Sequence, residues 1–308
     1  MKNGPCFSNW IVTRRDFLRS TGILVAGLAF GQSAANAEGS VTRFGIITDC
    51  HFADREHLGT RYYRESLDKL GECVDLMNEK KVSFLLECGD FKDQNDKPTE
   101  ADTLAFLRRI EDSFKRFKGP RYHVLGNHDM DSISKAQFQA KVENTGIARD
   151  RTYFSFDNNG LHCVVLDACH TADGSDYDHG KFAWQDSNIP APQIEWLKKD
   201  LSEAKTPVIV FVHQRLDGKG NLYVANAEAV RAAIEESKKV LAVFQGHDHP
   251  GGYNLINGVH YYTLCAVVEG SGKENSSYAV VDVDSESNIA ITGYRRAVTK
   301  ALAHAGAA

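Results

Sequence analysis

Five short polar clusters carry the residue types that do chemistry: Asp49-Cys50-His51, Gly89-Asp90-Phe91-Lys92-Asp93, Gly126-Asn127-His128-Asp129, Val212-His213 and Gly246-His247-Asp248-His249. Each follows an apolar, β-like run. In an α/β sheet the carboxyl ends of the strands share one edge, so residues far apart in sequence converge there. Asp, Asn and His without Cys make a nitrogen and oxygen donor set that suits Mn, Fe or Zn. Such a set serves phosphate ester hydrolysis. An anionic ester repels hydroxide, and two cations about 3.5–4 Å apart polarise the phosphoryl oxygens, supply hydroxide at neutral pH and neutralise the developing charge. An isolated Asp-x-His pair is common by chance, and a lone His213 after an apolar strand reads as a structural histidine. Five clusters in this order, all at strand ends, point to a metal centre. His247 and His249, two residues apart, project to one side of an extended segment and can reach adjacent ions. Cys50, between two ligand candidates, then faces the opposite way into the core.

The elements that must position these clusters alternate along the chain. Apolar, often β-branched runs predict strands over Arg43–Thr48, Val82–Glu87, Arg121–Leu125, Tyr153–Phe156, His162–Leu166, Val208–Val212 and Leu241–Phe244. Helices are expected over Tyr62–Asn78, Thr99–Phe117, Ser134–Asn144, Ala191–Ala204 and Ala225–Ser237. Leu67, Leu70, Val74 and Met77 set one apolar face of the first. Strand–helix alternation argues for parallel βαβ units. After Leu241 the runs Tyr253–Ile256, Val259–Thr263, Tyr278–Val283 and Ile289–Tyr294 read as an antiparallel meander. A polar segment from Cys169 to Asn188, rich in Asp, Gly, His and aromatic residues, reads either as a lid or specificity loop or as a plain surface insertion.

The amino terminus has a different character. Thr13-Arg14-Arg15-Asp16-Phe17-Leu18 is a twin-arginine pattern, Gly22–Phe30 is apolar, and Ala35-Asn36-Ala37 offers the small residues of a cleavage site. The apolar run is about half of the roughly 20 residues that span a bilayer, so no stable membrane anchor is expected after cleavage. The expectation is a signal peptide over 1–37, engagement of the twin-arginine export machinery, and a periplasmic or otherwise extracytoplasmic mature chain. A single catalytic domain over 38–297 and a tail over 298–308 complete the division.

Composition is that of a soluble globular protein of 308 residues, 42% hydrophobic and 25% charged. Without the first 37 residues, 32 basic side chains face 40 acidic ones, a charge of −8. That balance argues against binding a nucleic-acid polymer. Of seven cysteines, Cys6 lies in the leader, and Cys73, Cys88, Cys163 and Cys265 fall in apolar periodic segments. Buried free thiols are therefore expected, and the spacing matches no zinc-binding Cys pattern.

In this order the clusters resemble the calcineurin-like metallophosphoesterase superfamily, whose pattern is D-x-H, G-D-x-x-D, G-N-H-D/E, a single His, then G-H-x-H. The match runs from about Phe44 to His249. The resemblance implies a calcineurin-like phosphoesterase fold, an αββα sandwich of two mixed β-sheets flanked by helices, with two metal ions and a hydroxide nucleophile. Carried over position by position, it implies that Asp90 bridges the ions, one carboxylate oxygen to each. Asp49, His51 and His249 complete the first ion's ligands; Asn127, His213 and His247 complete the second's. It implies that His128 stabilises the transition state and protonates the departing oxygen with Asp129 orienting it, and that Asp93 supports a ligand by hydrogen bonding.

A narrower resemblance rests on Phe44-Gly45-Ile46, Phe52-Ala53-Asp54, Arg61-Tyr62-Tyr63-Arg64 and Ser66-Leu67, which are similar to the opening of the Mn-dependent ADP-ribose and CDP-alcohol diphosphatase group. That group carries Gln at the position of His51 and Glu at that of Asp129. Arg61 and Arg64 are candidates for contact with substrate phosphate, and Tyr62 or Tyr63 for stacking on a base; the alternative is that they open an amphipathic helix. The expected function is hydrolysis of a phosphodiester or diphosphate bond in a small, nucleotide-type molecule. A phosphomonoesterase and a non-catalytic metal-binding scaffold are the alternatives.

Overall fold

The computed structural model describes residues 40–304. The leader expected over 1–37 lies outside the described residues. Two six-stranded sheets make the centre. In the first, β1 (Ser40–Ile47), β2 (Leu85–Glu87) and β3 (Arg121–His123) run parallel to one another. Beside β1 lie β10 (Ser277–Asp284), β11 (Ile289–Arg295) and β12 (Lys300–Leu302), each antiparallel to its neighbour. The second sheet runs β4 (Phe154–Asn158), β5 (Leu161–Val165), β6 (Val208–Val212), β7 (Val240–Gln245), β9 (Val259–Thr263), β8 (Gly252–Ile256). Here β5, β6, β7 and β9 are parallel, and β4 and β8 are antiparallel edges.

Period-two alternation explains the layering. Phe44, Ile46, Phe84 and Leu86 of the first sheet meet Ile209, Phe211 and Phe244 of the second in one buried cluster. The alternate residues face outward. Leu85 and Val280 pack under α1 (Ser66–Lys80) and α2 (Glu100–Phe114) with Leu70, Met77 and Ile110. On the far side Val208, Val210 and Val212 pack under α4 (Ala191–Glu203) and α5 (Ala227–Ser237). Two mixed sheets flanked by helices are the αββα sandwich anticipated above.

Several expectations change. The run of strands after β7 is not one meander: β8 and β9 stay in the second sheet, whereas β10 crosses to pair with β1 in the first. The catalytic domain does not stop at 297, because β12 pairs with β11 and buries Leu302. The first helix begins at Ser66 rather than Tyr62, since Arg61 instead bridges to Leu58 and Glu269. The helix expected over 134–144 is α3 (Lys135–Gln139), opened by a capping box between Ser134 and Gln137. The six described cysteines are buried and free. Among the described residues no helix is long and apolar enough to cross a membrane.

Candidate metal centre

The five clusters meet where the carboxyl ends of β1, β2, β3, β6 and β7 converge across the two sheets. The backbone turns sharply there. Asp49, His51, Asp90 and His247 all have positive φ, between 47° and 67°. Side chains other than Gly rarely adopt this region, and strain of this kind concentrates at functional sites. So Asp49-Cys50-His51 and His247-Asp248-His249 are not the extended segments expected from sequence, although Cys50 is buried in the core as anticipated. Glycine permits the crowding: a Cβ on Gly126 would collide with the Asp90 backbone and carboxylate, and one on Gly246 with Thr48 and Asp49.

Three histidines share one design. Nδ1 of His51 lies 3.0 Å from Asp93, Nδ1 of His213 lies 2.8 Å from the Cys88 carbonyl, and Nδ1 of His249 lies 2.6 Å from Glu269. Each anchor fixes the ring and leaves Nε2 as the inward lone pair. The inward atoms form two groups. Asp49 Oδ1 is 3.6 Å from Nε2 of both His51 and His249, whose Nε2 atoms are 3.2 Å apart. Asp90, His213 and His247 form the second group, with Asp90 Oδ2 3.1 Å from His213 Nε2. Neighbouring donors around one ion with bonds near 2.1 Å sit about 3.0–3.5 Å apart.

Asp90 joins the groups in a way not anticipated. Its Oδ1 accepts the backbone N–H of His128 at 2.8 Å, which fixes the orientation of the carboxylate. Oδ2 alone faces both sides, 3.5 Å from His51 Nε2 and 3.1 Å from His213 Nε2. Oδ2 is thus the Asp90 oxygen that lies between the two donor groups, where the resemblance implied one oxygen for each ion.

The donor set fits cations by a second criterion. Asp49 Oδ1, Asn127 Oδ1, His213 Nε2 and His247 Nε2 are buried with no hydrogen-bond partner, a costly state unless a ligand satisfies them. The field agrees. Burial opposes charge at Asp90, yet His213, His128 and His51 hold its carboxyl well below the usual range. Burial likewise disfavours charge on His213, but Asp90 and Asp49 push it up to about 10. His247, whose burial is reinforced by the charge of His213, is lowered to about 3.

His128 stands at the cavity edge, its side chain 28% exposed. Asp129 does not orient it. That carboxylate is fully buried and accepts the backbone N–H groups of Asp90, Phe91, Lys92 and Gly126 at 2.9–3.3 Å, so it holds the Asp90 loop in place. Consecutive residues of the 3-10 turn Asn127–Met130 point apart, and it is Asp131, 2.6 Å from His128 Nδ1, that holds the ring. Lys92, buried, donates to the His128 carbonyl. Asp93 sits as expected, supporting His51.

A cavity of about 310 Å³ opens over the Asp90 and His247 group beside His128, and Arg61, Trp184 and Leu222 wall it. Arg61 is thus at the cavity wall. Tyr63 and Arg64 are not. Tyr63 is 3% exposed in the core with the Arg55 guanidinium 4.7 Å over its ring. Arg64 is turned to surface pairs with Asp54 at 2.6 Å and Glu56 at 2.5 Å. Tyr62 stacks on His57. Missed in sequence were Asp131, Glu269 and Trp184. Another Asp and His group, Asp167, His170 and Asp176, encloses the Lys135 ammonium, which already supplies the positive charge.

Two donor groups sharing a carboxylate oxygen at the strand ends of an αββα sandwich define a metal-dependent phosphoester hydrolase with room for two ions. A family model described as calcineurin-like phosphoesterase matches residues 42–251, and the chain belongs to that family. It is similar to proteins named manganese-dependent ADP-ribose/CDP-alcohol diphosphatase. The one from Oryza sativa subsp. japonica is 29% identical over 273 residues, 73% of this chain and 83% of the relative. The one from Homo sapiens is 27% identical over 78% of this chain and 86% of the relative. A solved structure described as a dimetal phosphatase from Danio rerio shares the fold, with a TM-score of 0.72 at 21% identity over 86% of this chain and all of that one.

Proposed function

We propose that the chain is a manganese-dependent diphosphatase that hydrolyses the diphosphate bond of a small nucleotide-type substrate of the ADP-ribose or CDP-alcohol kind. The observation that carries this reading is the single Asp90 oxygen facing both donor groups beneath a cavity that also presents Arg61 and His128. The relatives' names and their coverage of this chain support the choice of bond and metal.

Asp49, His51 and His249 would hold one cation, and Asn127, His213 and His247 the other, with Asp90 common to both. Bound there, two cations supply charge neutralisation at phosphorus and an ionised water at neutral pH. The chain's own residues do the rest. Arg61, at the cavity wall, offers its guanidinium to the phosphate that is not being attacked, where a planar fork binds two oxygens at once. His128 has the Asp131 and Asp93 carboxylates beside Nδ1, which favour its imidazolium, and the Nε2 proton of that form is the one delivered to the departing oxygen.

The test is turnover with manganese on ADP-ribose, CDP-choline and p-nitrophenyl phosphate. The reading requires kcat/KM for a diphosphate at least about tenfold above that for the monoester, the smallest margin that separates substrates by a clear free energy. The reverse order would make the chain a phosphomonoesterase, and turnover of none would leave a metal-binding scaffold.

We also propose that the chain acts outside the cytoplasm, supported by the Arg14-Arg15 pattern and the small residues before Glu38. Replacing Arg14 and Arg15 by Lys should retain the protein in the cytoplasmic fraction; unchanged export would overturn this.

A further inference from the structure

The segment from Cys169 to Asn188 has no helix or strand among its residues, yet it is tied down at many points. Lys135 Nζ, from α3, donates to Asp167 and to Asp176 at 2.7 Å each and lies 3.2 Å from His170. Tyr177 stacks on Phe182 with ring centroids 3.9 Å apart and planes within 2°, and its hydroxyl donates to the Asp186 carbonyl at 2.9 Å. The N–H groups of His179 and Gly180 donate to the carbonyls of Ile133 and Met130, on either side of Asp131. The segment is therefore a braced wall built against the stretch that carries His128, rather than a lid waiting to close.

At its rim stands Trp184. Leu58, Trp184 and Leu255 are the exposed large hydrophobic side chains among the described residues, and of these Trp184 is the aromatic one that walls the metal cavity. The residue is 39% exposed, and its ring lies edge-on to His247 with centroids 5.6 Å apart. Water covers an indole poorly, and a flat aromatic partner covers it well. Trp184 adjoins a group that would hold a phosphate, so that partner is joined to the phosphate. A nucleobase meets both demands, because every base offers a π-face.

Resting on the reading of the site as a nucleotide diphosphatase, we infer that Trp184 is the platform on which the substrate's nucleobase stacks, and that the Lys135 cluster holds this platform in place before substrate arrives. Pre-ordering removes the entropy of fixing a loop at binding. Stacking on a π-face accepts purines and pyrimidines alike, so the site would discriminate base-bearing from base-free phosphates more than one base from another.

The test is calorimetric binding of AMP and of ribose 5-phosphate to the manganese-loaded protein, its Trp184→Ala variant and its Trp184→Phe variant. Wild type should bind AMP about tenfold more tightly, the size of a single base–aromatic stack. Trp184→Ala should bring the two affinities together by weakening AMP alone, and Trp184→Phe should keep most of the preference. Unchanged ribose 5-phosphate binding shows that the variant is folded and its metal site intact. Equal affinities in wild type, or a preference that survives Trp184→Ala, would overturn the proposal. A wild type that prefers AMP but cleaves no diphosphate would uphold the platform and refute the assigned reaction.

Discussion

An oxygen of Asp131 lies 2.6 Å from Nδ1 of His128, and Asp93 stands 3.6 Å from the same nitrogen. Burial disfavours the imidazolium, but Asp131, Asp93 and Asp90 offset it and raise the group to about 10. Held at Nδ1 by a carboxylate, the ring lines the cavity in position to act as a proton donor. His128→Ala should keep both metals and lose about a hundredfold or more in kcat on a diphosphate. The loss should be far smaller on an ester with a p-nitrophenyl leaving group, which departs without a proton. Asp131→Asn should show the same pattern at about a tenth of the size. Steady-state kinetics on the two substrates decides it, and equal losses on both would leave His128 with charge stabilisation alone.

Glu269 fixes His249 as Asp93 fixes His51. Its own loop is held by Lys69, a buried ammonium that donates to the carbonyls of Val267 and Gly270 at 2.8 and 2.6 Å. Removing a carboxylate behind a ligating histidine typically costs about 10–100-fold in metal affinity. Glu269→Gln should therefore weaken one of the two ions by that factor, measured by chelator competition, and leave the other nearly unchanged. Two ions held as tightly as in wild type would contradict the orienting role.

Under the centre, His123 is buried between Glu111, 3.1 Å away, and Glu87, 3.5 Å away. Burial raises Glu87 to about 8 despite His123. Burial works against charge on His123, but Glu111 and Glu87 raise it to about 9. Both groups bind protons more tightly folded than unfolded, so their stabilisation is complete at low pH and is lost as pH rises. For Glu87 the loss begins above the ordinary carboxyl value of 4.5 and ends near 8; for His123 it runs from 6.5 to about 9. Urea denaturation should show stability falling between about pH 4.5 and pH 9, and Glu87→Gln should flatten that fall by about 1 kcal/mol or more. Parallel profiles for the two proteins would remove Glu87 from the account.

The metal-facing residues were legible because the chemistry constrains their type and their place: Asp, Asn and His at the polar ends of apolar runs, in an order shared with a known family. Strand positions were legible for the same local reason, and β6 and β9 end where their apolar runs end. Which sheet a strand joins was not legible. The alternation in Tyr278–Val283 suits either sheet, and the choice is made by pairing with β1, more than 230 residues earlier. Roles that depend on side-chain direction were also hidden. Asp129 adjoins His128 in sequence but turns to the backbone of the Asp90 loop, and the partner is Asp131. Glu269, twenty residues past His249, gives no sequence signal. Trp184 lay inside the polar, aromatic-containing segment that read either as a lid or specificity loop or as a surface insertion, with nothing to single out one of its aromatic residues. Tyr63 and Arg64 lie away from the cavity because Tyr63 is packed in the core under Arg55 and Arg64 is paired with Asp54 and Glu56 on the surface, directions that residue type does not reveal.

The central claim is that one oxygen of Asp90 unites two cation sites. Elemental analysis of the manganese-loaded protein and of Asp90→Ala, with diphosphate hydrolysis measured in parallel, tests it most directly. The account predicts roughly two ions per chain in wild type and, in the variant, loss of activity together with both ions. A variant that keeps two tightly bound ions would contradict it.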